Sequence, residues 1–157
     1  MAEERKALGD GTSRRAAGGP LPTFLGVNLV TPRGVVAHTD TDAITAPGEL
    51  GEFELMPGHV SELTALKPGV LTIGERNKVR YAVSAGYLRV DATSAVEILV
   101  EAAVLGADVD VEAARVEQRA ADAELAKWGD KPTDGEYRNV LHRAQWAKAQ
   151  LDAAGAK

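Results

Sequence analysis

The spacing of apolar residues along the chain changes once, near Leu105, and this change limits the folds that are possible. From Phe24 onward, apolar and polar residues alternate with a period of two, which is typical of strands with one buried face. After Leu105 the apolar residues recur every three or four positions, which is typical of amphipathic helices. We therefore expect a β-domain at residues 24–105, followed by a helical domain at residues 106–157.

The β-domain contains several short segments with strand character, separated by turn-forming residues. Three side chains of the first segment, FLGVNLV, share one face and are predicted to be buried: Leu25, Val27 and Leu29. The segment VRYAVSA predicts the same for Val79, Tyr81 and Val83. Several short strands at this spacing indicate an antiparallel sandwich or barrel.

The helical domain contains two apolar stripes, separated by a segment rich in glycine and proline between Trp128 and Gly135. The first stripe consists of Val109, Ala113, Val116, Ala120 and Ala123. The second stripe consists of Tyr137, Val140, Ala144, Ala147, Leu151 and Ala154. Two helices of about 20 residues that are joined by a short polar loop would form an antiparallel hairpin.

Alanine dominates both stripes, and this composition limits how strongly the two helices can be held in place. Burial of an alanine contributes little compared with the roughly 1.5 to 3 kcal/mol of a buried leucine or valine. Two interpretations are open at this point. The hairpin can be a domain that detaches and finds another partner, or it can be a static helical appendage.

The composition of the chain excludes several classes of protein. The 157 residues carry a formal net charge of −5, so we expect no nucleic-acid partner. There is no cysteine, which removes disulfides, thiolate metal sites and cysteine nucleophiles. No apolar run approaches the roughly 20 residues that span a bilayer, so contact with a membrane would need a partner. Residues 1–23 mix both signs of charge with glycine, proline and serine, and we expect a flexible leader there.

Residues that can carry catalysis or bind a metal are present, but they do not form a recognisable motif. The histidines lie far apart and lack the spacing of a metal site: His38, His59 and His142. Asp40 and Asp42 would share a strand face, which suits a bound cation, an acid/base pair or a solvated surface. The segment Gly48–Glu52 is not a phosphate-binding motif, and its acidic residues would repel such a ligand. We therefore predict no catalytic residue, no metal site and no cofactor.

One segment of the chain carries a resemblance to a known family. It is APGELGEFELMPGHVSELTALKPG, Ala46 to Gly69, preceded by LVTPRG and followed by a strand pair and AGYLRV. With this arrangement the chain resembles the epsilon subunit of the F-type ATP synthase over about Gly26 to Leu151. The resemblance implies an N-terminal antiparallel β-sandwich of about ten strands and a C-terminal antiparallel two-helix hairpin. It also implies a non-catalytic subunit of the central rotor stalk, which couples the gamma subunit to the c-ring and whose hairpin restrains ATP hydrolysis.

The resemblance further implies a surface for the c-ring and the gamma subunit on loops rich in glycine and proline. Six residues of the matching segment are candidates for this surface: Glu49, Glu52, Met56, Pro57, Gly58 and His59. Exposed carboxylates such as Glu52 can pair with basic loops of a partner, while Pro57 and Gly58 set the shape of a turn. Turn formation alone explains Pro57 and Gly58 equally well.

A nucleotide site is known in the hairpin of some members of the family, where an apolar residue is followed by Asp-x-x-Arg-Ala. Here Asp110 is present, but Ala113 occupies the arginine position. Trp146 and Gln150 occupy positions where the second helix often has arginines. Without those cations a triphosphate has little to bind, so Asp110 is a weak candidate and ATP binding is not expected.

Basic residues of the helical domain are candidates for a different contact. On an extended hairpin they could meet acidic loops of the catalytic beta and alpha subunits: Arg115, Arg119, Arg138 and Arg143. A solvated helix face explains such residues equally well. The resemblance implies a peripheral position within the complex, on the cytoplasmic side of the bacterial plasma membrane. The alternative function is a free-standing β-sandwich binding module whose helical hairpin binds a partner.

Overall fold

A computed structural model describes residues 20–129 and 135–156 of the chain. Most of the expected leader and the centre of the loop between the helices lie outside the described residues. Within the described part, ten strands come first: β1 (Leu25–Thr31), β2 (Gly34–Thr41), β3 (Ile44–Gly48), β4 (Gly51–Leu55), β5 (Glu62–Leu66), β6 (Gly69–Ile73), β7 (Val79–Val83), β8 (Gly86–Val90), β9 (Ala95–Val100) and β10 (Ala103–Leu105). They are followed by a short 3-10 helix (Gly106–Asp108) and by helices α1 (Val111–Leu125) and α2 (Gly135–Ala154). The predicted fold class, a β-sandwich of about ten strands followed by two helices, is confirmed.

The strands are arranged in the order β10-β7-β6-β3-β5-β8-β9-β1-β2, and β4 pairs with β3. Strand β3 connects the two layers, because Ile44 and Thr45 pair with β6 whereas Gly48 pairs with Leu66 of β5. Neighbouring strands run antiparallel, as predicted, with the exception of β1 and β9. These two strands run parallel, and β1 lies between β9 and β2 in the sheet.

The interior between the layers is aliphatic, as the low content of aromatic residues indicates. Alternate residues of β9 are buried and the residues between them are exposed, and the three predicted residues of β1 are fully buried. In β7, Val83 is buried and Tyr81 packs against the core, as predicted. The same prediction is wrong for Val79, which is 41% exposed because it begins β7 beside the β6–β7 turn.

Helix α2 lies between α1 and the sandwich and is buried on both sides. On the side of the sheet, Ala149, Ala153 and Trp146 pack against Val70 of β6 and Ala82 of β7. The opposite side of α2 packs against α1 through Val140, Ala144, Ala121 and Leu125. The hairpin is therefore folded against the sandwich in this structure.

The predicted stripe of α1 has the wrong phase. The structure buries Ala114 and Ala121, while Val116 is 64% exposed. The other predicted positions are exposed or lie outside the helix: Val109, Ala113, Ala120 and Ala123. Adjacent alanines occur twice in this segment, so either member of each pair fits a helical stripe, and the packing of Leu125 selects the phase. In α2 the predicted burial of Val140, Ala144, Ala147 and Leu151 is confirmed.

Gly106 allows the close approach of α2 to the sandwich. A Cβ atom at this position would lie 2.3 Å from the Ala153 carbonyl oxygen and 3.2 Å from that of Arg80. Protein interiors have no space for atoms at such separations, so a side chain would push the two backbone segments apart. A glycine is therefore required here by packing.

The β8–β9 turn is stabilised by the side chain of Asp91. Its Oδ1 atom accepts hydrogen bonds from the Thr93 hydroxyl at 2.6 Å, the Thr93 amide at 2.8 Å and the Ala95 amide at 3.1 Å. The Thr93 hydroxyl makes the largest contribution to lowering the pKa of Asp91 below its ordinary value of 3.8. The turn places Ser94 at a φ of 65°, with its carbonyl oxygen accepting from the Gly26 amide at 3.0 Å.

Replacement of Gly106 by alanine should loosen the contact between α2 and the sandwich by about 1–3 kcal/mol, because the added methyl group overpacks the site. We expect faster hydrogen exchange for the amides of Ala149 and Ala153, with no change in β1. Gly135→Ala is the matched control, since a Cβ atom there would meet nothing within 4 Å. Equal exchange in the Gly106→Ala variant and the wild type would contradict the packing argument.

Acidification should destabilise the sandwich partly through Asp91. Because the folded-state pKa of Asp91 is lowered, its contribution is fully present above the unfolded value of 3.8 and is lost as the pH falls through the folded-state pKa. We expect the urea midpoint of Asp91→Asn to fall less than that of the wild type between pH 6 and pH 3. Asp40→Asn is the control, because no hydrogen bond to the Asp40 carboxylate is found within residues 20–129. Parallel pH profiles of Asp91→Asn and the wild type would refute this role.

Candidate functional site

The six candidate interface residues do not form one cluster, because they lie at the two ends of strand β4. Glu49 belongs to the β3–β4 turn, which precedes β4, and the residues from Met56 to His59 belong to the loop that follows it. Five residues of strand separate these loops by about 16 Å. Strand β4 pairs with β3 in the described structure and leaves its other edge open, so the two loops flank one free strand edge.

The β3–β4 turn projects a leucine into solvent. Leu50 is fully exposed at the tip, and the Glu49 amide donates to the Ala65 carbonyl oxygen at 3.0 Å. Gly51 has a φ of +141°, a conformation that favours glycine. The turn is therefore fixed against β5, and it presents Glu49 and Leu50 outward.

Glu52 lines one groove together with Glu49 and a second groove toward the helical domain. It pairs with Pro47 across the β3–β4 ladder and lines a groove of about 410 Å³ between the sandwich and α2. Lys67 of the sandwich and Lys148 of α2 line the same groove. The carboxylate of Glu52 is thus close to the helical domain, an environment that the sequence did not predict.

A hydrogen bond connects the β4–β5 loop to the β8–β9 turn. The Gly58 amide donates to the Ser94 hydroxyl at 2.9 Å, and the His59 amide donates to the Met56 carbonyl oxygen at 3.1 Å. Gly58 has a φ of +85°, so Pro57-Gly58 forms a turn as predicted. Ser94 is only 1% exposed and is a residue that the sequence patterns did not single out.

The ring of His59 contributes to the conformation of its own loop. Its Nδ1 atom donates to the Val60 carbonyl oxygen at 2.8 Å, and its Nε2 atom lies 3.9 Å from a carboxylate oxygen of Glu62. Met56 and Val60 beside it are 51% and 73% exposed. The loop therefore exposes apolar side chains to solvent on both sides of His59, whose ring is held by its hydrogen bond to Val60.

A row of apolar side chains crosses the solvent-exposed surface of the sheet, and the sequence patterns did not predict it. The strand registers align five residues of neighbouring strands, from β5 to β2: Ala65, Tyr87, Leu99, Val30 and Val35. Tyr87 and Leu99 are 57% and 54% exposed, and both line a groove of about 620 Å³. A cross-strand ion pair of Arg89 and Glu97, at 2.6 Å, lies beside the row. We call these five residues and the ion pair the outer face.

The candidate residues of the helical domain have local structural roles. Asp110 is the N-cap of α1, where its carboxylate accepts from the Ala113 amide at 3.1 Å. Arg115 pairs with Glu112 at 3.1 Å within α1. Arg143 of α2 pairs with two carboxylates of α1, and the hydrogen bond that it donates to Glu117 is the main cause that raises its pKa. Arg119 and Arg138 have no ion pair to another described residue.

Within residues 20–129 and 135–156, no group of three histidine, aspartate or glutamate side chains is arranged to bind a metal ion. The helices of this part of the chain are too short or too polar to cross a bilayer.

Comparison with known proteins identifies the family. The model of the ATP synthase delta/epsilon chain β-sandwich domain matches residues 24–106, more than half of the chain. The ATP synthase epsilon chain of Geobacter sulfurreducens is 37% identical over 132 residues, which cover 83% of this chain and 94% of that protein. The epsilon chain of Thermobifida fusca is 35% identical over 128 residues, with coverages of 79% and 92%.

Solved structures agree on the fold. A chain of the Euglena gracilis mitochondrial ATP synthase, in a structure of OSCP, F1 and the c-ring, matches with a TM-score of 0.75 and 22% identity, covering 96% of this chain and 92% of that chain. A chain of the Tetrahymena thermophila mitochondrial ATP synthase central stalk and c-ring matches with a TM-score of 0.56, 22% identity and coverages of 85% and 98%. With the sequence matches, these findings show that the chain belongs to the family of ATP synthase epsilon chains.

Proposed function

We propose that this chain is the non-catalytic epsilon subunit of a proton-translocating F-type ATP synthase, where it works in the central stalk. In this role it connects the gamma subunit to the c-ring, and its C-terminal helices restrain ATP hydrolysis. The observation that carries the proposal is the combination of a rigid sandwich with an exposed outer face and a hairpin held by small side chains. The solved relatives come from assemblies whose descriptions include the c-ring.

The outer face is the proposed surface for the gamma subunit. Single exposed apolar side chains are common on protein surfaces, but a contiguous row of them is typical of an interaction site. Tyr87 and Leu99 lie at the centre of the row, where aromatic and aliphatic anchors contribute most to binding. The Arg89–Glu97 pair beside them provides a polar rim.

The free edge of β4 is the proposed surface for the c-ring. Its two flanking loops carry the candidate residues Glu49, Met56, Pro57, Gly58 and His59. The exposed Leu50 and Met56 add apolar contacts at opposite ends of this edge. Together, the two loops form a surface about 16 Å long that combines carboxylates with exposed apolar side chains. Such a surface can contact several polar loops of a ring, whereas either loop alone would contact fewer. Glu52 is exposed beside the same turn and lines a groove with Glu49 and Leu50, so it can contribute to this surface while the hairpin is docked.

The helical domain is the proposed regulatory part. Helix α2 contacts Val70 and Ala82 of the sheet through Trp146 and two alanines. This cluster is small and separate from the core of the sandwich, so it can open without unfolding the sandwich. When extended, the hairpin would present Arg115, Arg119 and Arg138 to acidic loops of the catalytic beta and alpha subunits. The complex would place the chain peripherally on the cytoplasmic side of the bacterial plasma membrane.

Deletion of residues 108–157 should raise ATP hydrolysis by the reconstituted enzyme, because the inhibiting helices are removed while the sandwich keeps its own core. Hydrolysis is measured with the full chain and with the truncated chain at equal occupancy in the complex. We expect an increase of about twofold or more, and retention of the truncated chain on the enzyme. Unchanged hydrolysis with full occupancy would exclude the regulatory role.

Leu99→Asp should weaken the binding of the chain to the gamma subunit at least about tenfold, since a charge would be buried at the centre of the interface. Binding is measured by titration of purified gamma subunit with the labelled chain. Val116→Asp is the matched control, because Val116 is similarly exposed but lies on α1, away from the outer face. If both substitutions weaken binding equally, or if neither weakens it, the outer face is not the surface that binds the gamma subunit.

A further inference from the structure

Arg143 joins the two helices of the hairpin by contacting two carboxylates at once. Its Nε atom lies 2.7 Å from Oε1 of Glu117, and its Nη1 atom lies 3.0 Å from Oε2 of Glu124. The guanidinium group presents several donors in a planar fork, so it can bind two acceptors without changing its conformation. We call these three residues the Arg143 clamp.

The clamp fixes how α1 lies lengthwise along α2. Glu117 and Glu124 are seven residues apart, which is two helical turns or about 10.5 Å. Buried Ala114 and Ala121 have the same spacing along the seam. The alanines of the seam offer few protrusions that resist sliding, and a slide of one turn would remove at least one of the two ion pairs. The clamp therefore acts together with Val140 and Leu125 in fixing the lengthwise position of α1 on α2.

The clamp cannot persist when the hairpin opens. Both acceptors of Arg143 are on α1, so separating the helices breaks both pairs together. Conversely, Arg143 can reach an acidic loop of another subunit only after it has left Glu117 and Glu124. Arg138, on the same helix, has no ion pair to a described residue and loses none on opening.

We propose that the Arg143 clamp stabilises the folded hairpin and thereby opposes inhibition. This inference rests on the proposed function, in which the extended hairpin restrains ATP hydrolysis. It reverses the role that the sequence suggested for Arg143, which was an inhibitory contact. Loss of the clamp is expected to favour the extended form, so the enzyme should hydrolyse ATP more slowly.

The first test measures opening of the hairpin in the full chain alone. The variant Glu117→Gln with Glu124→Gln breaks both pairs and keeps the charge of Arg143. Hydrogen exchange of the α1 amides should accelerate about fivefold, since each exposed ion pair shifts the equilibrium between the folded and the open hairpin by a small factor. Arg143→Gln should give the same acceleration, and the matched control Arg138→Gln should give none. Unchanged exchange in the clamp variants would overturn the proposal.

The second test measures ATP hydrolysis by the reconstituted enzyme. Both clamp variants should lower hydrolysis relative to the wild-type chain. The charge-swapped chain, with Glu117→Lys, Glu124→Lys and Arg143→Glu, should restore exchange and hydrolysis toward the wild type, because the pairs are re-formed with opposite signs. Higher hydrolysis with Arg143→Gln would show that Arg143 is an inhibitory contact and would overturn the clamp.

The two tests separate this inference from the function on which it rests. If deletion of residues 108–157 leaves hydrolysis unchanged, the regulatory role fails, while the exchange measurement still decides whether the clamp holds the helices together. If the deletion raises hydrolysis and exchange is unaffected by the clamp variants, the regulatory role stands and the clamp is wrong.

Discussion

Close approach between backbones, made possible by small side chains, is the constraint on which the helical domain depends. Ala149 and Ala153 bring α2 onto the sheet, and Gly106 lets the Ala153 carbonyl oxygen approach the chain that leaves β10. Such contacts are dense, so they define one geometry well. They bury little apolar surface, so they contribute little free energy. The same residues therefore define the docked position of the hairpin, while the free energy that they contribute to holding it there is small.

The sandwich contrasts with this domain in the way it is held together. Its core consists of leucine, isoleucine and valine side chains from both layers, and the largest of them are fully buried. Leu25, Leu71 and Ile98, for example, have no exposed surface. Each such side chain contributes roughly 1.5 to 3 kcal/mol on burial. The sandwich therefore has one large aliphatic core, whereas the contacts of the helices are smaller and consist mainly of alanines.

The sequence predicted the fold well wherever a pattern had a single solution. In β1, for example, the period of two predicted the buried face of Leu25, Val27 and Leu29, and burial alternates along this strand as expected. Helix α1 was different, because adjacent alanines at 113–114 and 120–121 fit two phases equally, and only packing against α2 decides between them. The six candidate residues between Glu49 and His59 were expected on loops rich in glycine and proline, although strand β4 lies among them and contains Glu52.

The candidate surfaces were harder to predict than the fold, for two physical reasons. Alternation assigns Tyr87 and Leu99 to the face opposite the core, but it cannot show that their row continues across five strands, since register is a long-range property. The distance between Glu49 and Met56 depends on whether the intervening residues are extended, and the family resemblance names both loops without giving that distance. Residue identity therefore named the candidate segments, and only strand pairing determined how they are arranged relative to one another.

The parallel pairing of β1 with β9 has a consequence for the order in which the chain folds. Gly26 pairs with Ala95, so the first strand gains its second neighbour only after nine strands have been synthesised. Contacts between residues so distant in sequence form late and slowly. Until then, the edge of β1 that will meet β9 is open to other strands, including those of neighbouring nascent chains. The helices follow β10 in the chain, so every strand of the sandwich is synthesised before α1 and α2.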